Sequence, residues 1–259
     1  MIVLKSAREL ALMRRGGQIL ASVMDQLRSI VRPGMTTHEI DEEVETFIGR
    51  RGARPAFKGY RGFPATVCTS INDEVVHGIP SRSRRLKGGD IIGLDLGCIV
   101  EGYYADCALT LALGEVPARV QALVDVTRES LDVAIGQCWP GRRLSDISHA
   151  IQVHVEAHGF NVVRQFVGHG IGRQLHEDPQ VPNFGEPGRG PTLKPGMVLA
   201  IEPMVTMGGF EVRILEDQWT AVTVDGSLSA HYEHTIAITD DGPDVLTSHA
   251  ARTTEKVAS

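Results

Sequence analysis

The strongest constraint on the fold is a duplication in which residues recur at a constant offset of 107 positions. Pro33–Gly34 recurs as Pro140–Gly141, and Leu86–Lys87 recurs as Leu193–Lys194. The same offset relates five further pairs: Ile40 and Ile147, Val44 and Ile151, Gly52 and Gly159, Gly89 and Gly196, and Asp95 and Glu202. A chance coincidence of single residues is the alternative, but one fixed spacing is typical of an internal repeat. A site between two such halves would take side chains from both.

Each half is predicted to contain two helices followed by strands. Apolar residues at positions 40, 44, 47 and 48 have helical spacing behind a Thr36 cap. The stretch Ser145–Val155 repeats this pattern, with His154 as its one polar member. Longer helices are predicted upstream, at 6–31 and 118–137. Duplicated units of this kind pack as one continuous sheet covered by helices.

The duplication therefore predicts an α/β fold in a single domain over 1–259. Its halves would span about 6–112 and 113–247, related by a pseudo-twofold axis. The small, polar C-terminal stretch 248–259 is predicted to be a flexible tail.

The composition predicts a cytoplasmic globular protein. Hydrophobic residues make up 42% of the chain, and the formal net charge is −6 with acidic and basic residues interspersed, which argues against a nucleic-acid-binding surface. No apolar run approaches the roughly 18 to 20 residues that a membrane helix needs, and the N-terminus lacks a signal-peptide core. The 4 cysteines form no Cys-x-x-Cys pair, as expected in a reducing compartment.

Two aspartates lie in a predicted β-hairpin. Residues 90–97 and 103–106 have the pattern of strands that turn near 100–102. Asp95 and Asp106 are 11 positions apart, so a two- or four-residue connection places both side chains on one face of the sheet. Apolar neighbours indicate burial on both faces, although solvent-facing carboxylates are the alternative. Metal cations or a shared proton would remove the repulsion between two buried carboxylates.

Three more donors of the metal-binding type lie in the second half. His169 lies between glycines, where the backbone is least crowded, although a single histidine is more often structural. Glu202 follows the apolar strand 198–201, and Glu233 lies in the strand-like run 231–238, where a charge is costly unless paired or bound to metal. Four carboxylates and one imidazole match a dinuclear site. The thiolate-free set favours Mn, Fe, Co or Zn over copper.

Together these residues resemble the type I methionine aminopeptidases over about 6–247. The motifs that carry the likeness are the stretch 67–80 (VCTSINDEVVHGIP), the Asp95–Asp106 hairpin, Gly168–Gly172, Ile201–Pro203 and Tyr232–Thr235. The resemblance implies the pita-bread fold, with two helix-helix-strand halves around a central antiparallel sheet. It also implies removal of the initiator methionine from nascent proteins and peptides whose second residue is small. No zinc-finger extension or long insert interrupts the likeness, so the chain is similar to the short bacterial form.

The resemblance implies a role for each candidate ligand of two divalent metal ions (Co, Mn, Fe or Zn). Asp95 would chelate one ion, and His169 and Glu202 would bind the other. Asp106 and Glu233 would bridge both ions. Glu202 would also move a proton from water to the leaving amine.

Further catalytic and substrate-binding residues follow from the same resemblance. His77 would contact the scissile nitrogen and His176 the carbonyl oxygen, although a simple loop histidine is the alternative for His77. The methionine pocket would be lined by Tyr60, Phe63, Cys68, Trp219, and Phe184 or its neighbours. Trp219 could instead be a core aromatic residue. The chain departs from the family at three positions, which bears on rim shape and inhibitor selectivity: Phe57 where some members have cysteine, Leu175 where many have phenylalanine, and His231 where glutamine is common.

Two other functions fit parts of the pattern. A proline-selective peptidase of the same fold, such as an Xaa-Pro aminopeptidase or prolidase, usually carries a large extra N-terminal domain, for which the helix at Ser6 leaves no room. A non-catalytic pita-bread protein that binds RNA or ribosomes would have lost metal ligands and tends to be basic. The resemblance instead implies a monomer that acts on polypeptides with N-terminal methionine, with transient ribosome contact and no membrane association.

Overall fold

The computed structural model describes residues 1–248, so the predicted tail at 248–259 lies outside the described residues apart from Ser248. The α-helices are α1 (Ala7–Ile30), α2 (Thr37–Arg50), α3 (Ala118–Ile135) and α4 (Leu144–Ala157). The strands are β1 (Arg54–Pro55), β2 (Val67–Ile71), β3 (Glu74–Val76), β4 (Ile91–Val100), β5 (Tyr103–Ala112), β6 (Asn161–Val162), β7 (Gly168–Gly170), β8 (Glu177–Val181), β9 (Val198–Ile201), β10 (Met204–Thr206), β11 (Val212–Ile214), β12 (Ala221–Thr223), β13 (Ser229–His231), β14 (Glu233–Thr239) and β15 (Gly242–Val245).

A nine-stranded sheet forms the centre of this described part. Its strands follow the order β1-β4-β5-β14-β9-β7-β8, with β2 paired to β4 and β15 paired to β14. The pairings are antiparallel. Helix α1 packs on β4 and β5, and α3 packs on α4 and on strands of the second half. Two three-stranded sheets, β13-β10-β6 and β11-β12-β3, complete the structure.

The predicted helices are confirmed to within two residues at their ends, and side-chain caps mark the starts of α1 and α2. Ser6 Oγ accepts a hydrogen bond from the Glu9 N–H, and the Glu9 carboxylate accepts one from the Ser6 N–H. Thr36 and Glu39 make the same reciprocal pair at the start of α2. No helix within residues 1–248 is both long enough and apolar enough to cross a bilayer.

Backbone contacts recur at the offset seen in the sequence. The Gly34 N–H donates to the Leu86 carbonyl at 2.8 Å, and the Gly141 N–H donates to the Leu193 carbonyl at 3.0 Å. Gly34 and Gly141 have φ angles of 94° and 90°, which a residue with a Cβ rarely adopts. Isolated bridges follow the same offset, joining Thr36 to Arg85 and Arg143 to Thr192. The two halves therefore close the loop before their second helix in the same way.

The hairpin of β4 and β5 turns where the sequence predicts. Glu101 and Gly102 form a two-residue turn with φ angles of 49° and 85°, as a type I′ connection requires. In this register Gly97 pairs with Asp106, and Asp95 pairs with Ala108. Both aspartates consequently lie on the same face, as expected from their separation.

Helix α1 can approach the sheet closely because Gly17 has no side chain. A Cβ at Gly17 would lie 2.1 Å from the carbonyl oxygen of Leu246. We predict that Gly17→Ala lowers the free energy of unfolding by about 1–3 kcal/mol or more, since backbone must shift. Urea unfolding measures the change. Gly49→Ala in α2 is the matched control: no atom of residues 1–248 lies within 4 Å of that Cβ, so it should stabilise by about 0.5–1 kcal/mol. Equal effects of the two substitutions would contradict the prediction.

Candidate metal centre and substrate cavity

The five predicted metal ligands come from five strands, or strand ends, that are consecutive in the central sheet. Asp95 lies in β4, Asp106 in β5, Glu233 begins β14, Glu202 directly follows β9, and His169 lies in β7. Because the sheet order is β4-β5-β14-β9-β7, residues far apart in sequence become neighbours across the sheet. The structure thus brings all five together, with ligands from both halves of the duplication.

The donor atoms of this group converge. One ligand atom each from Asp106, His169 and Glu233 lie within 4.8 Å of one another. His169 Nε2 is 3.6 Å from Glu202 Oε1, and Asp95 lines the same cavity. His169 Nδ1 is 2.9 Å from the Gly170 carbonyl oxygen. Since a carbonyl can only accept, Nδ1 carries the proton and Nε2 presents its lone pair to the cluster.

The glycines on either side of His169 have a steric reason. A Cβ at Gly168 would lie 2.4 Å from the Ala200 carbonyl oxygen, and one at Gly170 would lie 2.0 Å from the Asp178 carbonyl oxygen. Larger residues would push β7 away from the strands beside it. The Gly-His-Gly sequence therefore allows the imidazole to lie at the sheet centre.

Burial dominates the electrostatics of the four carboxyl groups. It raises the pKa of Asp95 to about 7 and raises the pKa values of Asp106, Glu202 and Glu233 well above their ordinary range. Neighbouring carboxylates raise the pKa values of the latter three further. Without cations, the cluster is therefore expected to hold protons that isolated carboxylic acids would release.

The residues present fit divalent metal ions. Asp95 Oδ1, Asp106 Oδ1 and Glu233 Oε1 are buried and have no hydrogen-bond partner within the described chain. Buried carboxylate oxygens of this kind are costly unless a cation or a donor satisfies them. The carboxylate-rich set with one imidazole is the ligand chemistry of Mn, Fe, Co or Zn.

His77 and His176 lie beside the cluster without belonging to it. His77 has a φ of 62°, an uncommon conformation for a residue with a Cβ, and burial lowers its pKa to about 4. The Tyr60 hydroxyl is 2.8 Å from His176 Nδ1, and the rings of His169 and His176 have centroids 4.3 Å apart. Burial, followed by the charge of Arg61, lowers the pKa of His176. Both imidazoles are thus favoured in their neutral form.

The predicted pocket residues line a cavity of about 180 Å³ that also contains the five candidate ligands. Phe63 and Trp219 make an edge-to-face contact with centroids 5.1 Å apart. Phe184 is not among the lining residues, because it packs against the main core and lies beneath the Arg164 guanidinium. The remaining lining residues are Phe57, Tyr60, Arg61, Cys68, His77, Leu175 and His176.

Sequence reasoning missed three residues that support the site. The Thr235 side chain accepts a hydrogen bond from the Asp106 N–H at 3.0 Å and donates one to the Asp106 carbonyl at 2.8 Å. The Asn183 amide donates to the Glu202 carbonyl at 3.0 Å. Arg61 lines both this cavity and a larger outer groove of about 710 Å³. Thr235 could have been found from the sequence, because it is a polar residue two positions from the candidate ligand Glu233.

The fold and the site define a metallopeptidase: the model of Metallopeptidase family M24 matches residues 11–240. The chain is 53% identical to the methionine aminopeptidase of Clostridium perfringens, over 95% of this chain and 99% of that protein. It is also 53% identical to methionine aminopeptidase 1 of Bacillus subtilis, again over 95% and 99% of the two chains. The chain therefore belongs to the methionine aminopeptidases of metallopeptidase family M24.

Solved structures agree with this assignment. The crystal structure of the methionine aminopeptidase from Thermotoga maritima has a TM-score of 0.95 at 48% identity, covering 96% of this chain and all of that one. The prolidase from Pyrococcus furiosus has a TM-score of 0.76 at 22% identity, covering 96% of this chain and 66% of that one. At this identity the likeness shows only that the fold is shared. The protein thus uses divalent metal and removes N-terminal methionine, and the proline-selective and non-catalytic alternatives are not favoured.

Proposed function

We propose that this chain removes methionine from nascent proteins and peptides whose second residue is small, with two divalent ions at the site. The ligands would be Asp95, Asp106, His169, Glu202 and Glu233. The observation that carries the proposal is the set of buried, unpartnered carboxylate oxygens in the same cavity as the aromatic residues and Cys68. Cations would satisfy these oxygens, and a slot lined by aromatic rings and sulfur suits a flexible thioether.

The side chains around the cluster have complementary tasks. Bound divalent ions would supply an activated water and polarise the scissile carbonyl. Glu202 would accept the proton of the attacking water and deliver it to the leaving amine. Because the Tyr60 hydroxyl occupies Nδ1 of His176, the Nε2–H of His176 would donate to the carbonyl oxygen as negative charge develops there. His77 would contact the scissile nitrogen.

The substrate side chain would enter the aromatic part of the cavity. Its walls would be Tyr60, Phe63, Cys68 and Trp219. The cavity has a volume of about 180 Å³, and the preference for a small second residue is taken from the family resemblance. The rest of the peptide would leave through the outer groove, which shares Arg61 and His176 with the cavity.

The test is hydrolysis of Met-Ala-Ser and Met-Leu-Ser by chelator-treated enzyme, with Mn, Fe, Co or Zn added back separately. Release of methionine from the first peptide only, dependent on metal, is the expected result, and the rates would rank the metals in vitro. Equal cleavage of both peptides would contradict the small-residue rule. No release with any metal from folded protein would contradict the proposed activity.

The same rule predicts that the protein keeps its own initiator methionine, because its second residue is the large Ile2. In the structure, Ile2 packs against the main core and the Met1 ammonium pairs with Asp178. Intact-mass measurement of the untagged protein should show that Met1 is retained. Ile2→Ala is the matched variant, and it should lose one methionine residue when produced in the same cells. Loss of Met1 from the unchanged chain would count against the rule.

We also propose where this protein acts in the cell and in which oligomeric state. The family resemblance supports a monomeric enzyme in the cytoplasm that meets its substrates at the ribosome. Light scattering would give the oligomeric state, and co-sedimentation with ribosomes at low and moderate salt would reveal the contact. Stable dimers, or no co-sedimentation at low salt, would contradict the respective part.

A further inference from the structure

A second group of metal-type donors lies on α3 and α4, outside the cavity. His154 and His158 are one helical turn apart in α4 and its C-cap, and their ring centroids are 4.7 Å apart. Glu129 projects from the neighbouring helix α3, with its Oε2 3.6 Å from His154 Nε2. Histidines four positions apart share one face of a helix and can chelate a single ion, as they do in helical zinc motifs.

The His158 ring is held in the tautomer that coordination requires. His158 Nδ1 is 2.7 Å from the His154 carbonyl oxygen, so Nδ1 carries the proton and Nε2 has a free lone pair. Among the described residues, His154 Nε2 is buried and has no hydrogen-bond partner, since the Glu129 oxygen at 3.6 Å lies beyond hydrogen-bonding distance. An unsatisfied imidazole nitrogen that points towards a carboxylate leaves a place for a cation.

We infer that His154 and His158, together with Glu129, form an additional site for a divalent transition-metal ion on the α3–α4 face. Two imidazoles and a carboxylate with an open position suit Ni²⁺, Zn²⁺ or Cu²⁺. The site opens onto a surface groove of about 520 Å³ lined by both histidines, so a hydrated ion can reach it. Glu129 and His158 are exposed, which allows both to rotate towards the ion.

The test uses Ni²⁺ as the probe on the untagged full chain. Equilibrium dialysis followed by metal analysis should show one more Ni²⁺ per chain in the wild type than in the His154→Gln/His158→Gln variant. Glu129→Gln should weaken binding of that ion by about tenfold or more, because replacing a group that surrounds a bound metal ion typically lowers the metal affinity by at least that factor. His38→Gln is the matched control, because His38 also faces a carboxylate four positions away, Glu42 at 3.2 Å, but lacks a second histidine.

Two outcomes would overturn the inference. The first is a double variant that binds as much Ni²⁺ as the wild type. The second is a His38→Gln control that loses as much Ni²⁺ as the double variant. Methionine release by the double variant verifies that the catalytic domain is folded, since neither histidine lines the substrate cavity. A double variant that fails this check is replaced by the two single variants, each of which should also lose the additional ion.

Discussion

Replacing Glu202 with glutamine is expected to lower kcat for methionine release by roughly 10²–10⁴-fold, the range for loss of a general acid–base group. The carboxylate is mostly buried, with one oxygen 3.6 Å from His169 Nε2 and the other 3.9 Å from His231 Nε2. Glutamine preserves the shape of the side chain but cannot accept and return a proton at neutral pH. Steady-state hydrolysis of Met-Ala-Ser would give kcat and KM separately, and the loss should fall on kcat.

Metal loss must be distinguished from loss of proton transfer in this variant. Metal analysis of the reconstituted Glu202→Gln protein shows whether it still holds the ions that the wild type holds, and circular dichroism checks the fold. Glu43→Gln is the matched control, because Glu43 is an exposed residue of α2 and should leave kcat unchanged. A metal-loaded Glu202→Gln variant with wild-type kcat would show that another group moves the proton.

Local patterns made most of this site predictable. The odd separation of Asp95 and Asp106 placed both on one sheet face because a two-residue turn needs only Glu101 and Gly102. A charge in an apolar strand marked Glu233, and burial of that residue in the structure agrees with the reasoning. These inferences needed only the pairing of two strands that are adjacent in sequence.

Features that depend on packing between distant segments were not predictable. Phe57 reaches the cavity by packing over Gly97, where a Cβ would lie 2.8 Å from its ring, and no local pattern indicates that contact. Phe184 or its neighbours were assigned to the pocket by resemblance, yet Phe184 packs against the main core. The pairing of β10 with β6 and β13 joins three separate segments, and the sequence carries no register signal across such distances.

The metal-free protein is expected to lose stability as pH rises from about 4 through about 7. Asp95 has an ordinary pKa of 3.8 that the fold raises to about 7, so the folded state binds more protons than the unfolded state in this window. Stability therefore falls with increasing pH. Burial also raises the pKa values of Asp106, Glu202 and Glu233 and those of Asp41 and Glu74, so these groups add contributions of the same sign. Urea unfolding of chelator-treated protein across this range measures the slope.

Bound metal should reverse this dependence, because the ions favour the ionised carboxylates and compete with protons for them. The reconstituted protein is therefore expected to gain stability as pH rises over the same window. Asp106→Asn removes one buried acid while keeping its shape, so its metal-free form should show a shallower decline than the wild type and little response to added metal. Stability that rises with pH in the metal-free wild type would mean that the carboxylates are ionised in the fold without cations. That result would contradict the account of the cluster as a site that exchanges protons for metal.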